Sequence, residues 1–143
     1  MPNKHLTLLK AKNYTNFITS LPGAAMWQHL YVIDERGNEI DVTENGDKSC
    51  AYMVSSVLCI FGVIDKPHAT VKTTLEEMEK AGWQKVGKPT KGAVVRWKDH
   101  IGFYLTDDFV ISSSSLTKVI TRHGLIMSDG LEPIDFFTHP ELL

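Results

Sequence analysis

The chain has 143 residues, enough for one domain with a sizeable core. Hydrophobic residues make up 43% and charged residues 22%; 15 Lys plus Arg stand against 17 Asp plus Glu, a formal net charge of -2. That balance lacks the basic footprint of a nucleic-acid binder, so no nucleic acid is expected as a partner. The longest apolar run, Met53 to Ile64, is interrupted by Ser55, Ser56 and Gly62 and is too short to cross a bilayer. Met1-Pro2-Asn3-Lys4-His5 does not lead into the basic, apolar and small-residue succession of an export signal. A cytoplasmic location is the expectation, with secretion by a dedicated machine left open.

No repeat, linker or low-complexity block divides the sequence. One domain over 1–143 is expected, with a helix and a hairpin in 1–45 and the main body in 47–121. Residues 4–20 carry a loose helical pattern (Leu6, Leu8, Leu9, Tyr14, Phe17, Ile18) that stops at Leu21-Pro22-Gly23. Leu30 to Val42 reads as a hairpin around Arg36-Gly37-Asn38, which is turn chemistry. The clearest helix runs from Cys50 to Phe61. Cys50, Met53, Val54, Val57, Leu58 and Phe61 form one stripe of a 3.6-residue period. Asp47 and Ser49 are candidates to cap its start, and Gly62 marks its end.

A second helix is expected over Val71 to Ala81, with a capping box in Thr74-Leu75-Glu76-Glu77. Beyond Gly82 the texture changes to short segments rich in β-branched and aromatic residues: Ala93–Trp97, His100–Leu105, Phe109–Ser113 and Lys118–Thr121. Asp107-Asp108 turns the middle pair into a hairpin. Helices first and antiparallel strands after is an α+β signature. The tail, Glu132 to Leu143, is expected to be irregular or one short helix.

Cys50 and Cys59 are nine positions apart on one helix, which places them on opposite faces about 13 Å apart along the axis. A disulfide needs Cα atoms within roughly 7 Å, so both thiols are expected to be free. A thiol reacts as its thiolate, and the partial positive charge and unpaired N–H groups of a helix start favour an anion there. Cys50 has that position and Cys59 does not. A small cysteine packed in a core is also common, and Cys50 lies on the apolar stripe.

A base that exchanges a proton near neutral pH is first sought among the six histidines. His5 and His139 lie near the termini and are expected at the surface. His29 adjoins the first strand, His68 follows Pro67, and His123 follows Arg122. Only His100 opens a strongly patterned strand, His100-Ile101-Gly102-Phe103-Tyr104-Leu105, whose alternation puts His100, Gly102 and Tyr104 on one face. Gly102 would let a helix or substrate approach closely. No Cys-x-x-Cys or His-Glu-x-x-His spacing is present, and neither a metal nor another cofactor is required. Of the aromatic residues, Tyr52 and Trp97 are the first candidates to contact substrate, because they neighbour Cys50 and His100 in sequence.

Ser49-Cys50-Ala51-Tyr52-Met53-Val54-Ser55-Ser56-Val57-Leu58, then Gly92-Ala93-Val94-Val95-Arg96-Trp97, then His100-Ile101-Gly102-Phe103-Tyr104-Leu105 and finally Val110-Ile111-Ser112 resemble the NlpC/P60 and CHAP amidase-type cysteine peptidases. The resemblance covers roughly residues 47–115. It implies a papain-like α+β fold with the cysteine-bearing helix packed on an antiparallel sheet. It also implies a thiol-dependent hydrolase of peptide or amide bonds, with Cys50 as nucleophile, His100 as base and Ser112 at the position of the orienting residue. The family's usual substrates are amide bonds, often in bacterial cell-wall peptides. Ala93 replaces the family's usual acidic residue after the glycine, and Ser49 the Asp many members place before the nucleophile. Ser114 shares the face of Ser112, and His123 can take its place if the next strand folds back. The alternatives are a noncatalytic binding or scaffold module of the same fold, or a related acyltransferase.

Overall fold

The computed structural model describes residues 5–143. Of the stretch with helical pattern, 4–20, position 4 lies outside the described residues, and helix α1 occupies only Lys10–Thr19. Tyr14 and Ile18, one turn apart, are its buried side chains, whereas Leu6, Leu8 and Leu9 are exposed before it begins. The Tyr14 hydroxyl donates to the Gly92 carbonyl at 2.7 Å, pinning α1 to the loop that leads into the sheet. Strands β1 (Tyr31–Ile33) and β2 (Glu39–Asp41) pair as a separate hairpin. Its turn is organised by the Asp34 carboxylate, which accepts from the amides of Arg36 and Asn38 at 2.9 and 2.8 Å.

Helix α2 (Cys50–Ile60) forms where the periodicity puts it. Ala51, Met53, Val54, Val57 and Leu58 are all buried along it. Gly62 ends it with φ +67°, and Val63 N–H donates back to the Leu58 carbonyl at 3.1 Å. Ser49 is the residue before the first turn, but its side chain makes no cap. The hydroxyl is buried and turned toward the sheet instead. Helix α3 (Val71–Lys80) is capped one turn earlier than Thr74: the Thr70 hydroxyl accepts from Thr73 N–H at 3.1 Å. Thr74 is buried inside the helix and donates to the Thr70 carbonyl. Among the described residues no helix is long and apolar enough to cross a membrane.

The main sheet contains β3 (Gln84–Val86), β4 (Val94–Trp97), β5 (His100–Tyr104), β6 (Phe109–Ser113), β7 (Ile120–Gly124) and β8 (Asp135–Thr138), in the order β3-β8-β4-β5-β6-β7. All its pairings are antiparallel. The protein is therefore α+β, three helices with an antiparallel sheet. The tail is not irregular: β8 inserts between β3 and β4, and only Pro140–Leu142 makes a short 3₁₀ turn. This insertion also buries His139, which is 7% exposed rather than at the surface. Its Nε2 bonds the Ala81 carbonyl at 2.9 Å.

Alternation divides the sheet into two faces. Val94, Ile101, Phe103, Ile111 and Ile120 join α1 and α2 in the main core. Val95, Trp97 and Val110 face the other way and build a smaller core with the half-buried Tyr104, Leu125, Met127, Leu131 and Phe136. His100 pairs with Trp97 across β4–β5 and shares this second face. Asp107 and Asp108 both have positive φ (53° and 60°), the backbone a two-residue hairpin turn requires.

Gly102 is needed where β5 meets β6. A Cβ there would lie 2.6 Å from the Ile111 carbonyl oxygen and 2.9 Å from the Ser112 Cβ. What approaches this glycine is the neighbouring strand, neither a helix nor an open substrate space. Gly102→Ala must therefore move main chain, and is expected to lower stability by about 2 kcal/mol or more. Gly87→Ala, whose new Cβ would meet nothing within 4 Å, is expected to be close to neutral. Urea denaturation of the two variants checks this; equal midpoints would contradict it.

Candidate active site

Cys50 is the first residue of α2, and three contacts fix where that helix begins. The Ser49 hydroxyl meets the Ser113 hydroxyl of β6 and donates to the Gly46 carbonyl at 3.3 Å. Asp47 pairs with Lys118 in the β6–β7 connection. The loop ahead of α2 is thus tied to the strand that carries Ser112. Burial pushes the Cys50 thiol above its ordinary pKa. The backbone amides of Ile101, Ala51 and Cys50 itself pull it down without cancelling that effect. Both thiols are free.

Ile101 is the residue after His100, so the sulfur lies against the start of β5. Cys50 and His100 line one open groove of about 1020 Å³, together with Ser112 and His123. Residues 69–72, 126–129 and 131 contribute to the groove's other walls. Among the described residues no hydrogen bond joins the thiol to the imidazole. The His100 Nε2 lies 2.9 Å from Ser112 Oγ, and its Nδ1 has no hydrogen-bond partner among the described residues.

Ser112 does not end the chain of contacts. β7 folds back antiparallel on β6 with Val110 opposite His123 and Ser112 opposite Thr121. Ser112 and His123 are thus diagonal neighbours on one face. Their Oγ–Nε2 distance is 2.6 Å, and the His123 Nδ1 lies 2.9 Å from the Gly124 carbonyl oxygen. Ser112 is 2% exposed, so both its hydrogen bonds are made away from solvent. Burial, and then the charge of His123, push the His100 pKa down to about 4. Both shifts favour the neutral forms of the thiol and the imidazole over an ion pair.

Trp97 and Tyr52 are not on the groove. Trp97 is fully buried, with ring centroids 5.4 Å from His100 and 6.1 Å from His123, and its indole N–H donates to the Leu125 carbonyl at 2.9 Å. It supports both imidazoles and is out of reach of a substrate. Tyr52 is two residues beyond Cys50, about 200° round the helix, and packs half-buried against the main core. Ser114 is occupied elsewhere, its hydroxyl accepting from the amides of Leu116 and Thr117 at 3.2 Å each. His29 and His68 are paired with Asp41 and Glu77, at 2.7 and 2.8 Å. The contact between Ser112 and His123 joins two of the three residues, Ser112, Ser114 and His123, among which sequence reasoning left a choice. The alternation of Thr121 and His123 would have exposed it once the β6–β7 register was known.

No protein-family model matches the chain, and no curated protein matches it. The fold and site define an α+β protein with a thiol, two imidazoles and a serine gathered at one groove.

The low His100 pKa has a consequence for stability. Between pH 6.5 and about 4 the unfolded chain takes up a proton at this imidazole that the folded chain refuses, so stability falls as pH falls through that window. The slope contributed is at most about 1.4 kcal/mol per pH unit. His100→Gln is expected to flatten this part of the stability profile, as measured by urea unfolding from pH 7 to 4.5. An unchanged slope in the variant would show that His100 titrates normally.

Proposed function

We propose that this protein is a thiol-dependent hydrolase of peptide or amide bonds, with a papain-like, NlpC/P60-type arrangement of its site. One observation carries the reading: a helix-start thiol (Cys50) and a strand-start imidazole (His100) open into one groove, with one imidazole nitrogen, Nε2, held by Ser112 at 2.9 Å. That leaves Nδ1 of His100 as the nitrogen available to the thiol.

In the proposed reaction the Cys50 sulfur attacks the substrate carbonyl carbon while His100 Nδ1 removes the thiol proton. The carbonyl oxygen becomes an oxyanion, for which backbone N–H groups at the start of α2 are the donors. Collapse of this intermediate breaks the C–N bond. The departing amine takes its proton from His100, leaving a thioester on Cys50. Water, deprotonated by His100, attacks the thioester; the carboxylic acid leaves and the thiol is restored. The buried, neutral pair suits general-base catalysis, because charge separates only as the bond forms. Cell-wall peptides are the substrate class the family resemblance implies.

The high pKa of the Cys50 thiol favours a second reading, a noncatalytic module in which this cysteine is only packed. Release of new amines from peptide and peptidoglycan-fragment substrates separates the two. Hydrolysis is expected in the native chain, and a fall of about 10³-fold or more in Cys50→Ala and His100→Ala. Ser112→Ala, which removes one charge-assisted hydrogen bond in the reaction, is expected to lose about 10- to 100-fold. The acidic limb of kcat/KM should lie near pH 4, set by His100. Turnover unaffected by Cys50→Ala would refute the proposal, and an acidic limb near 6.5 would refute the neutral-pair mechanism. Acyl transfer to an added amine in place of water would make the protein an acyltransferase.

A further inference from the structure

We propose that His123, backed by the Gly124 carbonyl, acts through Ser112 to hold His100 in the tautomer whose Nδ1 carries no proton, so that His123 is a positioning residue for the base. The reasoning begins at the one group in the chain of contacts whose role is fixed by chemistry. A backbone carbonyl only accepts, so the His123 Nδ1, 2.9 Å from the Gly124 oxygen, must carry the hydrogen. In the neutral form of His123, as distinct from the imidazolium whose charge opposes protonation of His100, the ring has a single N–H and Nε2 is a lone pair. Ser112 Oγ, 2.6 Å away, therefore donates its only proton to that nitrogen. On its other side Ser112 can then only accept. The His100 Nε2 at 2.9 Å must be the donor, and Nδ1 is left bare.

A single main-chain oxygen on β7 thus sets every proton as far as β5. The geometry that makes this work is built into the fold. Gly102 has no side chain, so Ser112 occupies the space beside β5. The β6–β7 register places His123 on the diagonal from Ser112, and Trp97 packs against both rings. Ser112 has one proton and cannot satisfy two acceptors, nor, once it donates to one side, a second group that also needs a donor. The direction of the chain is accordingly all-or-none. A side chain at 123 that only donates would reverse it: Ser112 would donate to the His100 Nε2, the imidazole proton would move to Nδ1, and His100 would be unable to take a proton from the thiol.

The assignment matters for catalysis only if His100 acts on Cys50, as proposed above, but the tautomer itself is read on the resting chain. Two-bond ¹H–¹⁵N correlation spectra of the ¹⁵N-labelled full chain at pH 7 distinguish Nε2–H from Nδ1–H, with His100 assigned by the signals lost in His100→Gln. The Nε2–H form is expected in the native chain. His123→Gln should preserve it, since its amide oxygen can accept from Ser112 while its NH₂ donates to Gly124. His123→Lys, or His123→Arg should the lysine variant not fold, is expected to convert His100 to Nδ1–H. Native His100 protonated on Nδ1, or an Nε2–H form that persists in both donor-only variants, would overturn the proposal. A kinetic arm reads the consequence: Cys50 acylation by p-nitrophenyl acetate should stay within about threefold of native in His123→Gln and fall at least tenfold in His123→Lys. Equal rates in those two variants would also overturn it. Absence of acylation in the native chain would instead count against the hydrolase reading, with the spectra still deciding the tautomer.

Discussion

The structure depends above all on how the first turn of α2 seats against the start of β5. Met53, Val54, Val57 and Leu58 are fully buried and share one core with Ile101, Phe103 and Ile111. Burying such side chains is worth about 1.5–3 kcal/mol each relative to exposure, so the helix is held in depth and rotation by its apolar stripe. Its first residue is then placed against the Ile101 amide, with the Ser49–Ser113 and Asp47–Lys118 contacts fixing where the helix begins. Alternation completes the arrangement. Because Ile101 must face the core, His100 before it belongs to the opposite face, with Trp97, and reaches the groove at the end of the strand.

The same burial that gives the site its geometry also disfavours charge within it. Desolvation raises the pKa of Cys50 and, with the repulsion of His123, lowers that of His100. Each shift opposes the thiolate–imidazolium pair in the resting protein. The structure compensates with direction rather than charge. The hydroxyl of Ser112 cannot stabilise an imidazolium as a carboxylate would, yet it can orient a neutral ring, and His123 supplies a second imidazole behind it. In the proposed reaction, accordingly, charge develops only together with the new bond.

How far the sequence disclosed this follows from how each element is stabilised. α2 and strands β4 to β6 were legible because a buried helix and a buried central strand must carry their periodicity in apolar residues. β3 and β8 were not. Gln84–Val86 is polar and mostly exposed, and Asp135–Thr138 is four residues long behind Pro133, so neither has the run of alternation that marks a strand. Their pairing is long-range, and no local signal encodes it. The capping of α2 failed as a reading because the Ser49 hydroxyl found Ser113, a partner 64 positions away. Trp97 and Tyr52 were placed near the groove from adjacency in sequence, which says nothing about face. Trp97 went under the imidazoles, and Tyr52 round the helix. That Cys50 opens a helix and His100 opens a strand was legible from the apolar periodicity, whereas Ser112 came only from the family resemblance. The place of His123 needed the β6–β7 register, which only the folded chain supplies.

The central claim, that the Cys50 thiol is driven by the His100 imidazole, is tested most directly by burst kinetics with p-nitrophenyl acetate and peptide mapping of the acylated chain. A rapid release of one nitrophenolate per chain is predicted, with the acetyl group on Cys50, Cys59 unmodified, and the burst abolished in His100→Ala. Slow release with acetyl spread equally over Cys50 and Cys59, and no change in His100→Ala, would contradict it.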